Sequence, residues 1–247
     1  MRNILIFILL IFTQSCKKDP VVPVEDGGMV EMSISHFWES DQNPFSLGSP
    51  LFNSSNGDTL TINLLRYYIS NFALQHEDGT WWKAPESYFL VDASDPSSML
   101  LKTSGIPDGK YVAVEFMLGV DSVRNVSGAQ TGALAPSNSM FWSWSTGYIM
   151  MKCEGVSPQS PLDLFVFHVG GFAGAENSAW LRQFDFNGDT LEVIKGEKRK
   201  VGVNVFVDQT WKYLDGVEDL QIVHTPGMPS PLVTKGFFEG FELLGLE

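Results

Sequence analysis

The sequence predicts an all-β protein: a single antiparallel β-sandwich or barrel-like domain of about nine or ten strands. Three observations predict it. Aromatic residues make up 13% of the 247 residues and there are 23 glycines, a composition of strands and turns. Apolar residues recur with period two in one segment after another. Turn signals such as Asn56-Gly57, Glu77-Asp78-Gly79 and Asn187-Gly188 separate those segments. At 44% hydrophobic and 18% charged, the chain has the composition of a packed core.

The N-terminus reads as an export and anchoring signal. Met1-Arg2-Asn3 is short and basic, and Ile4 to Phe12 is an unbroken apolar run, too short to span a bilayer. Thr13-Gln14-Ser15-Cys16 then resembles a bacterial lipoprotein cleavage site, with Thr13 where that motif carries an aliphatic residue. Residues 1–15 are expected to be a signal peptide and Cys16 to be acylated, anchoring the chain to outer-membrane lipid, on the periplasmic side or at the surface. Residues 16–28, with two prolines and two closing glycines, read as a tether, and residues 29–247 as the folded domain. With Cys16 lipidated, Cys153 stands alone and is read as a buried hydrophobe.

Strands follow in order. Val30, Met32, Ile34, His36 and Trp38 share one parity. Leu60, Ile62 and Leu64 alternate, and Tyr67 to Leu74 is an aromatic-rich strand. Ser87 to Asp92 is short. Val112, Val114, Phe116 and Leu118 alternate with Tyr111, Ala113, Glu115 and Met117. Leu164 to Val169 is nearly all apolar, the pattern of a strand buried on both faces. Val201, Val203, Val205 and Val207 alternate cleanly, Leu220, Ile222 and His224 form one more stripe, and Phe237 to Leu244 closes the sheet. Helix is expected only in short pieces, near Thr210 to Leu214 and Ala175 to Arg182.

Charge and motifs narrow the function. With 16 Lys plus Arg against 29 Asp plus Glu, the formal net charge is −13, which repels phosphate backbones and argues against a nucleic-acid partner. The chain has no Gly-x-Ser-x-Gly elbow, phosphate loop, His-Glu-x-x-His or Cys-x-x-Cys, so no enzyme activity is expected. Asp185 to Glu192 does not have calcium-loop spacing. His36, His168 and His224 each fall near the end of a predicted strand on its apolar parity. A core-facing imidazole needs a partner for each ring nitrogen, and a metal ion is one such partner. His76 precedes an acidic turn and is read as exposed. Trp142, Trp144 and Tyr148 share a parity, either as a core ladder or as an aromatic face for stacking.

Longer motifs carry a family resemblance. Leu118-Gly119-Val120-Asp121, Arg124-Asn125, Gly132-Ala133-Leu134-Ala135-Pro136 and Met140-x-Trp142-x-Trp144-x-x-Gly147-Tyr148 resemble the central motif of the MbnP-like copper-binding family. Tyr67-Tyr68-Ile69-Ser70-Asn71 and Phe167-His168-Val169-Gly170-Gly171 resemble its flanking segments, and the likeness is to the lipoprotein branch of Bacteroidetes. The resemblance implies copper binding outside the cytoplasm, through His nitrogens and a tryptophan oxidised to kynurenine, with a di-haem peroxidase-like enzyme as maturation partner. On this chain it implies His168 as a ligand and Trp142 or Trp144 as the modified residue. The methanotroph branch often has Asn-His in the central loop. Asn125-Val126 stands here, so His36 and His224 are the candidates to replace that ligand. The competing expectation is a surface binding module for a carbohydrate or protein partner, with the tryptophans as a platform and no metal.

Overall fold

The structure is a computed structural model that describes residues 27–246 except 40–42, 54, 129 and 144. The expected signal peptide, Cys16, most of the tether and Trp144 lie outside the described residues.

β1 (Gly28–Trp38) places Val30, Met32 and Ile34 in the core and turns Ser33 and Ser35 to the other side. β2 (Asn43–Pro44) and β3 (Pro50–Phe52) are short and lead into β4 (Thr59–His76), an 18-residue strand. Two strands were expected over this stretch. The chain passes through instead as one, with a register shift between Ser70 and Ala73 and Asn71 at φ 56°, the geometry of a bulge. There follow β5 (Trp81–Lys83), β6 (Tyr88–Asp92), β7 (Leu100–Ile106) and β8 (Gly109–Leu118), then helix α1 (Ser122–Val126) and β9 (Phe141–Ser143). Next come β10 (Gly147–Val156), β11 (Leu164–Gly170), β12 (Trp180–Asp185), β13 (Leu191–Val193), β14 (Lys198–Phe206) and β15 (Ile222–Val223). Helix α2 (Ser230–Glu239) and β16 (Phe241–Leu246) end the fold.

Two sheets result. The first runs β16-β14-β1, with β7 and then β2 along the far edge of β1. The second runs β12-β8-β4-β10-β11-β15, with β10 along the first half of β4 and β8 along the second. Their inner faces share one core, which includes Met32 and Val203 from the first sheet and Tyr67, Phe116, Cys153, Phe165 and Phe167 from the second. The all-β sandwich is therefore present, with three corrections. It is not wholly antiparallel: β1 pairs β14 in parallel and β11 pairs β15 in parallel. These partners are far apart in sequence, so no hairpin imposes the antiparallel sense. Six of the sixteen described strands have only two or three residues, too short for period two to register, which is why nine or ten were expected. The helix near Ala175 to Arg182 is a 3-10 turn at Gly174–Glu176 followed by strand β12.

Helix α2 takes in Phe237 to Glu239, the start of a stretch expected to be strand; the rest of that stretch is β16 from Phe241 on. Pro231 suits a first helical turn, and Gly236 lets the helix approach the 3-10 turn at Val207–Trp211, since a Cβ there would stand 2.4 Å from the Gln209 carbonyl oxygen. Arg182 ties the end of α2 to the second sheet by donating to the Phe238 and Phe241 carbonyls. Among the described residues, no helix is long and apolar enough to cross a membrane.

Candidate functional site

The face of β11 is the reverse of the one expected. Phe165, Phe167 and Val169 enter the core, while Leu164 is exposed and Val166 and His168 are half-buried on the outer face of the second sheet. The strand is thus not buried on both faces. In β15, Val223 is buried and Ile222 is 50% exposed, so His224, next along the chain, is exposed on the outer side too. Both apolar stripes were assigned the wrong parity, and both in the same direction.

That double reversal keeps the two histidines together. Val166 pairs Ile222 and Phe167 pairs Val223, so His168 and His224 are the next residues along two parallel neighbours. Their rings stack with centroids 4.6 Å apart and planes 30° from parallel. The His168 Nε2 lies 2.6 Å from Glu154 Oε1 on β10. A carboxylate only accepts, so Nε2 carries the hydrogen and Nδ1 keeps its lone pair. Burial pushes the His168 imidazole below its ordinary range. The Glu154 contact acts in the opposite direction, and Lys152 and His224 add to the lowering. A neutral imidazole is the form that binds metal. Lys152 and Arg66 continue the row in register across β10 and β4, and Arg66 pairs Asp92 at 2.6 Å.

His36 does not join this pair. It belongs to the first sheet and turns into the sandwich, where its Nε2 lies 2.9 Å from the Tyr67 hydroxyl and its ring meets Tyr67 and Phe45 edge-on. Burial lowers its pKa to about 4. Tyr67 is on the core face of β4, opposite the face that carries Arg66, so the sheet separates His36 from His168. His76, read as exposed, is half-buried, its ring tilted 35° against Tyr111 with centroids 4.2 Å apart, away from both.

The segment between β8 and β10 covers part of the same outer face, and the central motif is what holds it there. Asn125, 2% exposed, donates through Nδ2 to the Val120 and Asp121 carbonyls and accepts through Oδ1 from the Tyr148 amide. The Tyr68 and Tyr148 hydroxyls donate to the Ala133 and Leu134 carbonyls. Asp121 caps α1 and accepts from the Tyr88 hydroxyl, and Arg124 pairs Glu86. Val120, Leu134, Met140, Tyr148, Ile149 and Met150 pack with Tyr68 into a second apolar cluster.

Trp142 and Tyr148 were expected on one extended segment; instead β9 and β10 form a hairpin between them, with Phe141 opposite Tyr148. Tyr148 is fully buried and Trp142 half-buried. The indole of Trp142 lies on Gly170, its Cζ3 2.8 Å from where a Cβ would stand. Gly170 and His168 share a face of β11, one period and about 7 Å apart. The site is therefore His168, His224, Glu154 and Trp142. Glu154 was missed, because only the register between β10 and β11 reveals it. Among the described residues no three His, Cys, Asp or Glu side chains are placed to hold a metal ion. Two imidazoles, a carboxylate and an indole are what the face offers.

These features define a mixed-topology β-sandwich with an outward histidine pair beside a motif-anchored aromatic flap. The MbnP family profile matches residues 27–227, and the chain belongs to that family. Among solved structures, MbnP from Methylosinus trichosporium is similar, with a TM-score of 0.53 and 18% sequence identity over 84% of this chain and 87% of that one, a likeness of fold. No curated protein matches.

Proposed function

We propose that the chain is an extracytoplasmic copper-binding protein that holds the ion between His168 and His224, beside Trp142. The stacking of these two imidazoles at 4.6 Å carries the reading. Copper is well served by imidazole, and the Irving–Williams order favours Cu(II) among divalent ions where geometry is permissive. The donor set fits in kind, and rotation of the stacked rings is needed for both to face one ion. Glu154 fixes the His168 tautomer so that Nδ1 keeps its lone pair, as carboxylates do for metal-bound histidines elsewhere. The residue proposed for conversion to kynurenine by a di-haem peroxidase-like partner is Trp142 or Trp144; Trp142 lies beside the pair, and Trp144 is outside the described residues. The product's arylamine nitrogen has a lone pair free to coordinate, which the intact indole commits to its ring. Lipid anchoring at Cys16 and a role without catalysis of its own complete the proposal. The fully buried Tyr148 and the half-buried Trp142 leave little support for a sugar-stacking platform.

The test is copper titration of the wild type and of His168→Ala, His224→Ala and His36→Ala. The first two variants should lose at least tenfold in affinity and the third should match the wild type. Equal binding by the wild type and both outer-face variants would overturn the site. Peptide mass analysis of residues 140–152 from native material tests the kynurenine separately.

A further inference from the structure

We propose that a second copy of this chain covers the open half of the second sheet's outer face, and that the two copies share one copper ion between their histidine pairs. The inference rests on the copper site proposed above. One pair is an incomplete donor set. His168 and His224 supply two imidazoles, Glu154 is engaged with the His168 Nε2, and among the described residues no three such side chains are placed to hold an ion. Cu(II) suits a tetragonal set of nitrogen donors, and two outward pairs supply four.

The flap covers the part of this face where Trp142 lies on Gly170. Toward the start of β11 the face is open and apolar. Val166 on β11 pairs Ile222 on β15, and Val156 on β10 pairs Leu164 on β11. Pro50 on β3 shares the Val156 rung through Thr61, and Phe52 follows on the same side. Val156, Leu164, Ile222 and Phe52 are 38–59% exposed. Large apolar side chains grouped at that exposure mark a contact surface.

Charge selects the occupant. A net charge of −13 keeps copies of the chain apart at most surfaces. On this half of the face the charges cancel: Arg66 pairs Asp92 at 2.6 Å, and Lys152 and Glu154 lie two residues apart on β10. Asp163, Glu218 and Asp219 lie outside it, ahead of β11 and β15. A twofold axis across the strands, between the Lys152–His168 rung and the Glu154–Val166 rung, sets Lys152 of each copy against the partner's Glu154. On β11, Leu164 and Gly170 are equally far from that axis, so Leu164 meets the partner's Trp142. The two histidine pairs then flank the axis, each about 3.5 Å from it along the strand. His168 leans toward it, since its Nε2 meets Glu154. Such a contact is isologous and closes at two copies.

The test uses the chain from residue 16 with Cys16→Ser, which carries no lipid and retains every described residue. Sedimentation velocity is measured with and without copper. Copper should convert the wild type from monomer to dimer, saturating at one ion per two chains. The Cu(II) paramagnetic resonance spectrum should show four nitrogen donors. Leu164→Glu/Ile222→Glu keeps both histidines and should weaken the dimer at least tenfold, leaving two nitrogen donors. Phe52→Ser/Val156→Ser, a milder change at the rim, should weaken it in the same direction. Leu100→Glu/Leu244→Glu, equal in charge and exposed on the first sheet, should match the wild type. One copper per chain on a monomer, lost in His168→Ala, would overturn the shared ion and leave the copper site standing. Equal dimers in all three double variants would overturn the docking face. Copper binding unchanged in both His168→Ala and His224→Ala would overturn the copper site itself, and this inference with it.

Discussion

The Trp142 indole lies on Gly170, where a Cβ would stand 2.8 Å from its Cζ3 and 2.7 Å from the Tyr148 carbonyl oxygen. Any side chain at residue 170 must therefore push the indole away or strain the strand pair. Gly170→Ala should cost about 1–3 kcal/mol of stability, as overpacking does. It should also shift tryptophan emission to longer wavelength as Trp142 is displaced toward water. Denaturant unfolding and fluorescence spectra check both, and an unshifted spectrum at wild-type stability would contradict the packing.

Asn125 holds three backbone groups with one side chain. Asn125→Ala leaves the Val120 carbonyl and the Tyr148 amide to find other partners in a buried setting, while the Asp121 carbonyl keeps the backbone amide of residue 125. The expected cost is about 2–4 kcal/mol, on the basis of 1–3 for each unmet buried group with partial relaxation. Hydrogen exchange should speed up at Tyr148 and across residues 120–140 ahead of the main core. Uniform acceleration across both sheets would show that Asn125 does not act locally.

His36 makes stability fall with acid. Its folded pKa of about 4 lies below the ordinary 6.5, so the unfolded chain binds a proton first as pH drops. Above pH 6.5 both states are neutral and there is no penalty. Between 6.5 and 4 the unfolded state gains, and the loss reaches roughly 3 kcal/mol before levelling off. His36→Gln should flatten that part of the profile. Unfolding midpoints measured across this window decide it, and an unchanged slope in the variant would place the acid sensitivity elsewhere.

Limited proteolysis should remove the residues before Gly27 and leave one resistant core that retains both sheets. β1 pairs β14 and β7, so the start of the fold is held by strands from its middle and end. Two stable fragments of similar size would refute the one-domain expectation.

Much of the fold was legible because the core residues of β1 and β14 keep one parity, Val30, Met32 and Ile34 in one and Val201, Val203 and Val205 in the other, so period two identified both the strand and its inner face; β8 keeps the expected parity from Val114 to Leu118, while at its start Tyr111 and not Val112 enters the core. β11 and β15 were legible only as apolar. Leu164 and Val166 match Phe165 and Phe167 in hydropathy, and a one-residue slip reverses every side chain. The short strand β15 has too few residues for any pattern, and its parallel partner lies more than fifty residues away in the chain. Helix α2 was read partly as strand because its phenylalanines pack on all sides.

From the sequence alone came the strand-rich class, the acidic surface, the motif that ties the flap at Asn125 and Tyr148, and His168 and His224 as residues to watch. These follow from composition, period and local motif, which are properties of neighbours along the chain. Only the tertiary structure decided that His36 belongs to Tyr67, that Glu154 belongs to His168, and that the histidine pair faces outward beside Trp142. Each of those depends on strand register and on which face of a sheet meets the core. Register is set by contacts between segments far apart in sequence, whose energies no single segment contains.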